Sequence, residues 1–101
     1  MEAGLPEAAQ LFKMLGHESR LVLLRLLGEE SRTVGALVDA TGMSQPLVSQ
    51  HLRTLRGAGL VAVSRSGKEA VYSVADQHVS HVIADALVHV HVREPRSADA
   101  E

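Results

Sequence analysis

The sequence predicts a mainly α-helical fold with one small β-hairpin, in the order α-α-α-α-β-β-α. Three observations predict it. Apolar residues recur at helical spacing from Pro6 to Leu27. Two short capped helical stretches, separated by a glycine turn, lie between Thr33 and Leu55. From Val61 the apolar period drops to two, then becomes helical again after Asp76.

The first helix is expected from about Pro6 to Leu15. Proline suits a first helical turn and Gly16 suits the stop, while Leu11, Phe12, Met14 and Leu15 give a broad apolar side. A second helix should start near His17-Glu18-Ser19 and run to Leu27, with Gly28 as its C-terminal cap. Its Leu21-Val-Leu-Leu24 and Leu26-Leu27 clusters are apolar over most of the circumference, which marks it as the central buried helix. Thr33 then caps a short helix, Val34 to Ala40, and Thr41-Gly42-Met43 forms a turn. Ser44 caps the next helix, which holds Pro46 in its first turn and ends at Gly57 or Gly59. Two short helices joined by such a turn are a helix-turn-helix. Val61, Val63 and Arg65, then Val71 and Ser73, alternate on two strands with Arg65-Ser-Gly-Lys68 as the turn between them. A hairpin directly after the second helix of the motif makes it a winged helix-turn-helix. Asp76 opens the last helix, expected to reach about Val92.

The composition narrows the function. At 101 residues, with 46% hydrophobic and 22% charged residues, the chain is expected to fold as a single domain over 1–92, with the polar segment 93–101 as a flexible C-terminal tail. There is no cysteine, which removes disulfides, thiolate metal sites and thiol catalysis. Phe12 and Tyr72 are the only aromatic residues, too few for a base-stacking platform. No apolar run approaches the roughly 20 residues of a membrane span, and the acidic start lacks the features of a signal peptide. A cytoplasmic protein with no membrane partner is expected.

The net charge of −2 argues against a general nucleic-acid binder only as an average. From Met43 to Ala75 there are four Arg or Lys and one acid, Glu69, so this stretch carries about +3 and the remainder about −5. In a helix-turn-helix the second helix enters the major groove. Ser44, Gln45, Ser49, Gln50 and His51 are therefore the candidate base-reading residues, since Gln pairs with adenine and Ser can donate or accept. Arg53 and Arg56, then Arg65 and Lys68 at the hairpin tip, suit phosphate. Ser and Gln on an isolated helix are as readily explained by solvation; the turn, caps, hairpin and local charge together favour double-stranded DNA.

The run Met43-Ser-Gln-Pro-Leu-Val-Ser-Gln-His-Leu-Arg-Thr-Leu-Arg-Gly-Ala-Gly-Leu-Val61 resembles the recognition segment of the ArsR/SmtB family of winged-helix repressors. Leu15-Gly-His-Glu-Ser-Arg-Leu21 and Arg65-Ser-Gly-Lys-Glu-Ala-Val-Tyr-Ser-Val74 resemble the same family, and the likeness covers about residues 8 to 92. It implies a homodimer built from the first and last helices, an inverted-repeat operator, release by a metal ion, and residues 1–92 as the DNA-binding and dimerisation domain.

Four of the six histidines fall between His78 and His91. At about 100° per residue, with His78 at 0°, His89 falls near +20°, Asp85 near −20°, Val92 near −40° and His81 near −60°, which is one stripe. Val79, Val82, Ile83, Ala86, Leu87 and Val90 form the apolar stripe, and His91 lies near −140°, away from both. His78 and His89 stand about 16 Å apart along the axis, too far for one ion with ligands about 2 Å away. An antiparallel second copy would bring His78 of one chain opposite His89 of the other and make two symmetric sites. The resembled family's last-helix zinc, nickel and cobalt sensors carry Asp-x-His, a His eleven residues later, then His or Glu three further on. Asp76, His78 and His89 match that pattern; Val92 stands at the fourth position. His91 or Glu94 could supply the missing ligand, a water could fill the place, or the site is weak, altered or lost. His81 with Asp85 could make another site or complete a six-coordinate nickel site. A solvated polar face is the plain alternative for the whole row. His17 is expected to cap or face solvent, and the methionines to pack.

The function expected is a dimeric metal-responsive DNA-binding repressor controlled by zinc or nickel/cobalt. Its rival is an ArsR-like regulator with a degenerate site, controlled by another ligand or by a protein co-regulator; a metal-buffering helical protein without operator specificity is a third reading. No nucleophile-elbow or phosphate-cradling sequence supports an enzyme.

Overall fold

A computed structural model describes the backbone of residues 2–100 and side chains through Val92. Five helices and a three-stranded antiparallel sheet follow one another as α1 (Leu5–Leu15), α2 (Glu18–Glu29), β1 (Arg32–Thr33), α3 (Val34–Thr41), α4 (Gln45–Gly57), β2 (Val61–Ser66), β3 (Glu69–Val74) and α5 (Gln77–Ala100). This is a winged helix-turn-helix: α3 and α4 are the motif, and β2 with β3 is the wing.

The two caps of the motif are local chemistry. Thr33 takes an extended conformation, and its Oγ1 accepts from Ala36 N at 3.1 Å, satisfying an N–H that has no partner within α3. Ser44 Oγ likewise accepts from Leu47 N at 3.3 Å at the start of α4. Between them, Gly42 ends α3 at φ 77°, a left-handed conformation that glycine adopts without a Cβ penalty. Replacing Thr33 with Ala is expected to cost about 1 kcal/mol of unfolding free energy, measurable by urea denaturation.

The wing's register pairs Val61 with Val74 and Ser66 with Glu69. Gly67 takes φ 65° at the first position of the two-residue loop, as a type II′ hairpin requires. A third strand completes the sheet in the order β1-β3-β2. It is only two residues long, with Arg32 opposite Tyr72 and Thr33 opposite Val71. Arg32 also donates from Nε to the Leu26 carbonyl at 3.1 Å and from Nη2 to Glu29 Oε1 at 2.8 Å, pinning the α2–β1 connection.

The core gathers Leu15 from α1, Leu23, Leu24 and Leu27 from α2, Leu37 from α3, Val48, Leu52 and Leu55 from α4, Leu60 and Val61 at the wing base, and Val79 and Ile83 from α5. The central position expected for α2 is observed. Its end is not the expected one: α2 runs through Glu29 and is capped by Glu30, so Gly28 is a helical residue. A Cβ at Gly28 would sit in ordinary contact with Ser80 of α5, 3.5 Å from its Oγ, so the position faces α5 as part of the helix and does not end it.

Helix α5 continues as backbone through Ala100 and does not stop near Val92. The side chain of Glu94, one of the possible metal ligands, lies outside the described residues.

Candidate nucleic-acid interface and metal half-site

The amphipathic pattern of α4 divides its residues. Val48, Leu52 and Leu55 are fully buried. Gln45, Gln50, Arg53 and Arg56 are exposed and Ser49 is half-buried. Ser44 is exposed at the helix start, with its hydroxyl oxygen occupied as the cap acceptor and its O–H still available to donate. Arg65 and Lys68 are exposed on the wing. The described helix therefore presents amides, hydroxyls and guanidinium groups outward from a capped first turn, with two further cations on the adjoining hairpin. That combination suits base edges and phosphates on one duplex.

His51 departs from the expected DNA face. It is 6% exposed, so it cannot reach a base edge. At about 100° per residue it lies roughly 160° around α4 from Ser49, inside the buried stripe that Val48, Leu52 and Leu55 define. The signal was present in the spacing: positions 48, 51, 52 and 55 follow the i, i+3, i+4, i+7 rule of a core face. Its neighbour is His17, also not foreseen as a partner, with ring centroids 4.9 Å apart.

At the start of α5, Asp76 Oδ1 accepts from His78 N at 2.9 Å and lies 3.2 Å from His78 Nδ1. A carboxylate accepts only, so the neutral ring must carry its proton on Nδ1, and this leaves the Nε2 lone pair facing outward. The His78 side chain is 97% exposed. His81 is exposed at the rim of a groove between α2 and α5 that Arg25 and Glu29 also line. His91 donates from Nδ1 to the Leu87 carbonyl at 2.8 Å, closing onto its own helix. Asp85 and His89 are exposed. Among the described residues no three His, Asp or Glu side chains stand close enough to hold one ion. A single chain thus offers a preformed Asp76–His78 pair, with further nitrogen donors elsewhere on α5. This fits a metal only if a second copy completes the set.

Beyond its first two turns α5 has little of its own chain to pack against. Val79 and Ile83 are buried, whereas Val88 is 61% and Val90 51% exposed. On α1, Leu5 and Phe12 are exposed as well, Phe12 at 58%. These are the two helices that the sequence resemblance implies for dimerisation.

A family model described as bacterial regulatory protein, arsR family, matches residues 17–63, which takes in α2, the helix-turn-helix and the first wing strand. The crystal structure of Rv0081 from Mycobacterium tuberculosis superposes with a TM-score of 0.81 at 35% identity, covering 96% of this chain and 99% of that one. The chain belongs to the ArsR family.

Among other ArsR relatives, the HTH-type transcriptional repressor SmtB of Mycobacterium tuberculosis is 44% identical over 85 residues, or 84% of this chain and 63% of that protein. This chain therefore spans less than two thirds of the length of that curated relative. The solution structure of the homodimeric winged helix-turn-helix DNA-binding domain of Mb0332 from Mycobacterium bovis has a TM-score of 0.75 at 31% identity, covering 97% of this chain. No helix among the described residues is long and apolar enough to cross a membrane.

Proposed function

We propose that this ArsR-family protein is a cytoplasmic, homodimeric, metal-responsive repressor of an inverted-repeat operator. Residues 1–92 carry both DNA binding and dimerisation. The observation that carries the metal part is the Asp76–His78 pair, which opens the same helix that leaves Val88, Val90 and Val92 exposed. Association through α1 and α5 is supported by the exposed Phe12, Val88 and Val90 and by the homodimeric state of the Mb0332 domain.

In the dimer, His78 is oriented by Asp76 and offers Nε2 to a position shared with His89 of a second copy. Zinc, nickel or cobalt suits this imidazole and carboxylate set, and when bound would supply a divalent charge that holds donors of both chains at one distance. His78 and His89 thereby convert ligand binding into a fixed α5–α5 spacing, and α4 moves with the chain it belongs to. The recognition helices then meet the two half-sites at a spacing that weakens operator binding. Reciprocity requires operator DNA to weaken metal binding by the same factor. Val92 leaves the fourth ligand to water, to a residue near the helix end, or to His81 with Asp85.

The test is a titration of zinc, nickel and cobalt against the protein bound to a labelled duplex enriched by the wild-type protein from a randomised pool. At saturating metal the wild type should release DNA with a coupling of about 1–3 kcal/mol, or roughly 5- to 150-fold in affinity. His78→Ala with His89→Ala should abolish that response and leave metal-free DNA binding within about twofold, since both side chains are exposed. A full metal response in the double variant would overturn the interface site. A metal response absent from the wild type would favour the rival reading, a degenerate site controlled by another ligand or a protein co-regulator.

A further inference from the structure

The recognition helix carries a polar side chain on its hidden side. His51 is the one buried polar residue among the described residues, and its Nε2 is buried with no hydrogen-bond partner. It meets the edge of His17, the N-cap residue of α2, with the rings inclined at 65°. Arg20, in the first turn of α2, is near enough to oppose a positive charge on His51. Its Nη1 donates to the Met14 carbonyl at 3.2 Å, while its Nε is buried and unpartnered. An orphaned imidazole nitrogen and a second imidazole therefore meet where α4 packs on the start of α2, with an orphaned guanidinium nitrogen in the same turn of α2.

We infer that His51, as a neutral imidazole, positions the recognition helix against the α1–α2 junction, so that a proton taken up at this joint lowers operator affinity without any metal.

The electrostatics of the joint have one sign. Burial, then His17, then Arg20 hold His51 below its ordinary value of 6.5. No acid offsets them. On α2, Glu18 and Glu29 are exposed; on α3, so is Asp39; on α1, Glu7 and Lys13 are exposed. The remaining charges on α4 and β2, Arg53, Arg56 and Arg65, are exposed cations. A neutral ring adds no charge to the joint, whereas a protonated ring would present a second cation to Arg20 with no hydrogen bond at Nε2 to compensate it. Proton uptake therefore favours separating α4 from the junction. Gln50 precedes His51 on the same rigid helix, and Ser49 and Arg53 flank it, so a shift of the hidden side carries the exposed side with it. Binding constellations tolerate only about 0.5 Å of such movement.

The sign for stability is the same. A His whose folded value is depressed contributes fully above the unfolded value of about 6.5. That contribution is lost as pH falls below it, because the unfolded chain then binds a proton that the folded one refuses.

The inference rests on α4 reading DNA, and its test separates the two. Metal-free protein in chelator at constant ionic strength is titrated, by fluorescence anisotropy, onto the pool-enriched duplex between about pH 8 and about pH 5.5, with circular dichroism confirming folded protein throughout. The wild type should weaken progressively as the pH falls, by up to about tenfold per protomer at the acid end, because a site held below its ordinary value takes up less than one full unit of coupling there. His51→Gln offers a polar amide that gains no proton; it should bind within about threefold of wild type at pH 8 and stay flat below it. His17→Gln removes one of the groups that disfavour the proton, so the midpoint should move to higher pH. A merely structural His51 would give a His51→Gln profile parallel to that of the wild type, and this result overturns the inference. Should His51→Gln not fold, an unmoved midpoint in His17→Gln overturns it instead. No wild-type binding at pH 8 would overturn both the inference and the DNA reading beneath it.

Discussion

Removing both wing cations, Arg65→Ala with Lys68→Ala, is expected to flatten the salt dependence of operator binding by about 3 to 4 in the slope of log Kobs against log salt, because a dimer would then leave four fewer phosphates neutralised, at about 0.9 each. Both residues are exposed and hold no ion pair among the described residues, so folding should be unaffected to within about 0.5 kcal/mol. Their contribution is long-ranged and sequence-independent. The loss of affinity should therefore be largest at low salt and similar for every duplex, whereas Gln50→Ala should relax discrimination at an adenine by about 1–3 kcal/mol and leave the slope unchanged. A slope identical to that of the wild type would mean that the wing does not lie on phosphate.

Leu52→Ala should produce the largest loss of stability. Leu52 is fully buried on α4 among Leu23, Leu37, Val48 and Leu55. Truncation removes the transfer free energy of the deleted methyl groups and leaves a cavity that a small core cannot close, about 2–5 kcal/mol in all. For a domain of this size, 1 kcal/mol shifts the midpoint by roughly 4–8 °C, so a fall of about 8–40 °C in Tm is expected by calorimetry. The core is joined by single layers of side chains from every helix, so the recognition helix should loosen with it. DNA binding at 37 °C should then fall with the folded fraction. A Tm within a few degrees of the wild type would show that the α2–α4 packing relaxes around the gap.

Much of the helix-turn-helix and wing was legible because it is written in short-range rules. A threonine or serine at a helix start is recognisable from its neighbours alone, and Thr33 and Ser44 both act as caps. The wing was legible because a period of two is interrupted by a glycine at the loop, and Gly67 takes the positive φ that such a loop demands. Strand β1 was not legible. Two residues are too few to show any period, and Arg32 and Thr33 count as a strand only because Tyr72 and Val71 lie beside them. Gly28 was misread for a similar reason: glycine near a helix end suggests a cap, whereas α2 runs on through Glu29 with Gly28 facing Ser80 of α5. His51 was misread through residue type, since a histidine beside serine and glutamine reads as polar surface although its spacing is that of the core.

By itself the amino-acid sequence determined the order of the five helices and the two wing strands, the caps and turns of the helix-turn-helix and wing, the concentration of positive charge between Met43 and Ala75, and the row of histidines on α5. These follow from hydrogen bonds and side-chain periods that span three or four residues. Tertiary structure alone decided that His51 meets His17 and that β1 joins β3. It also decided that Val88, Val90 and Val92 of α5 stay uncovered by their own chain. Each of these depends on which surfaces meet when the helices pack, or on where a side chain comes to rest once its helix is anchored. Contacts between distant positions are set by the shape and volume of the whole core, which no local pattern records.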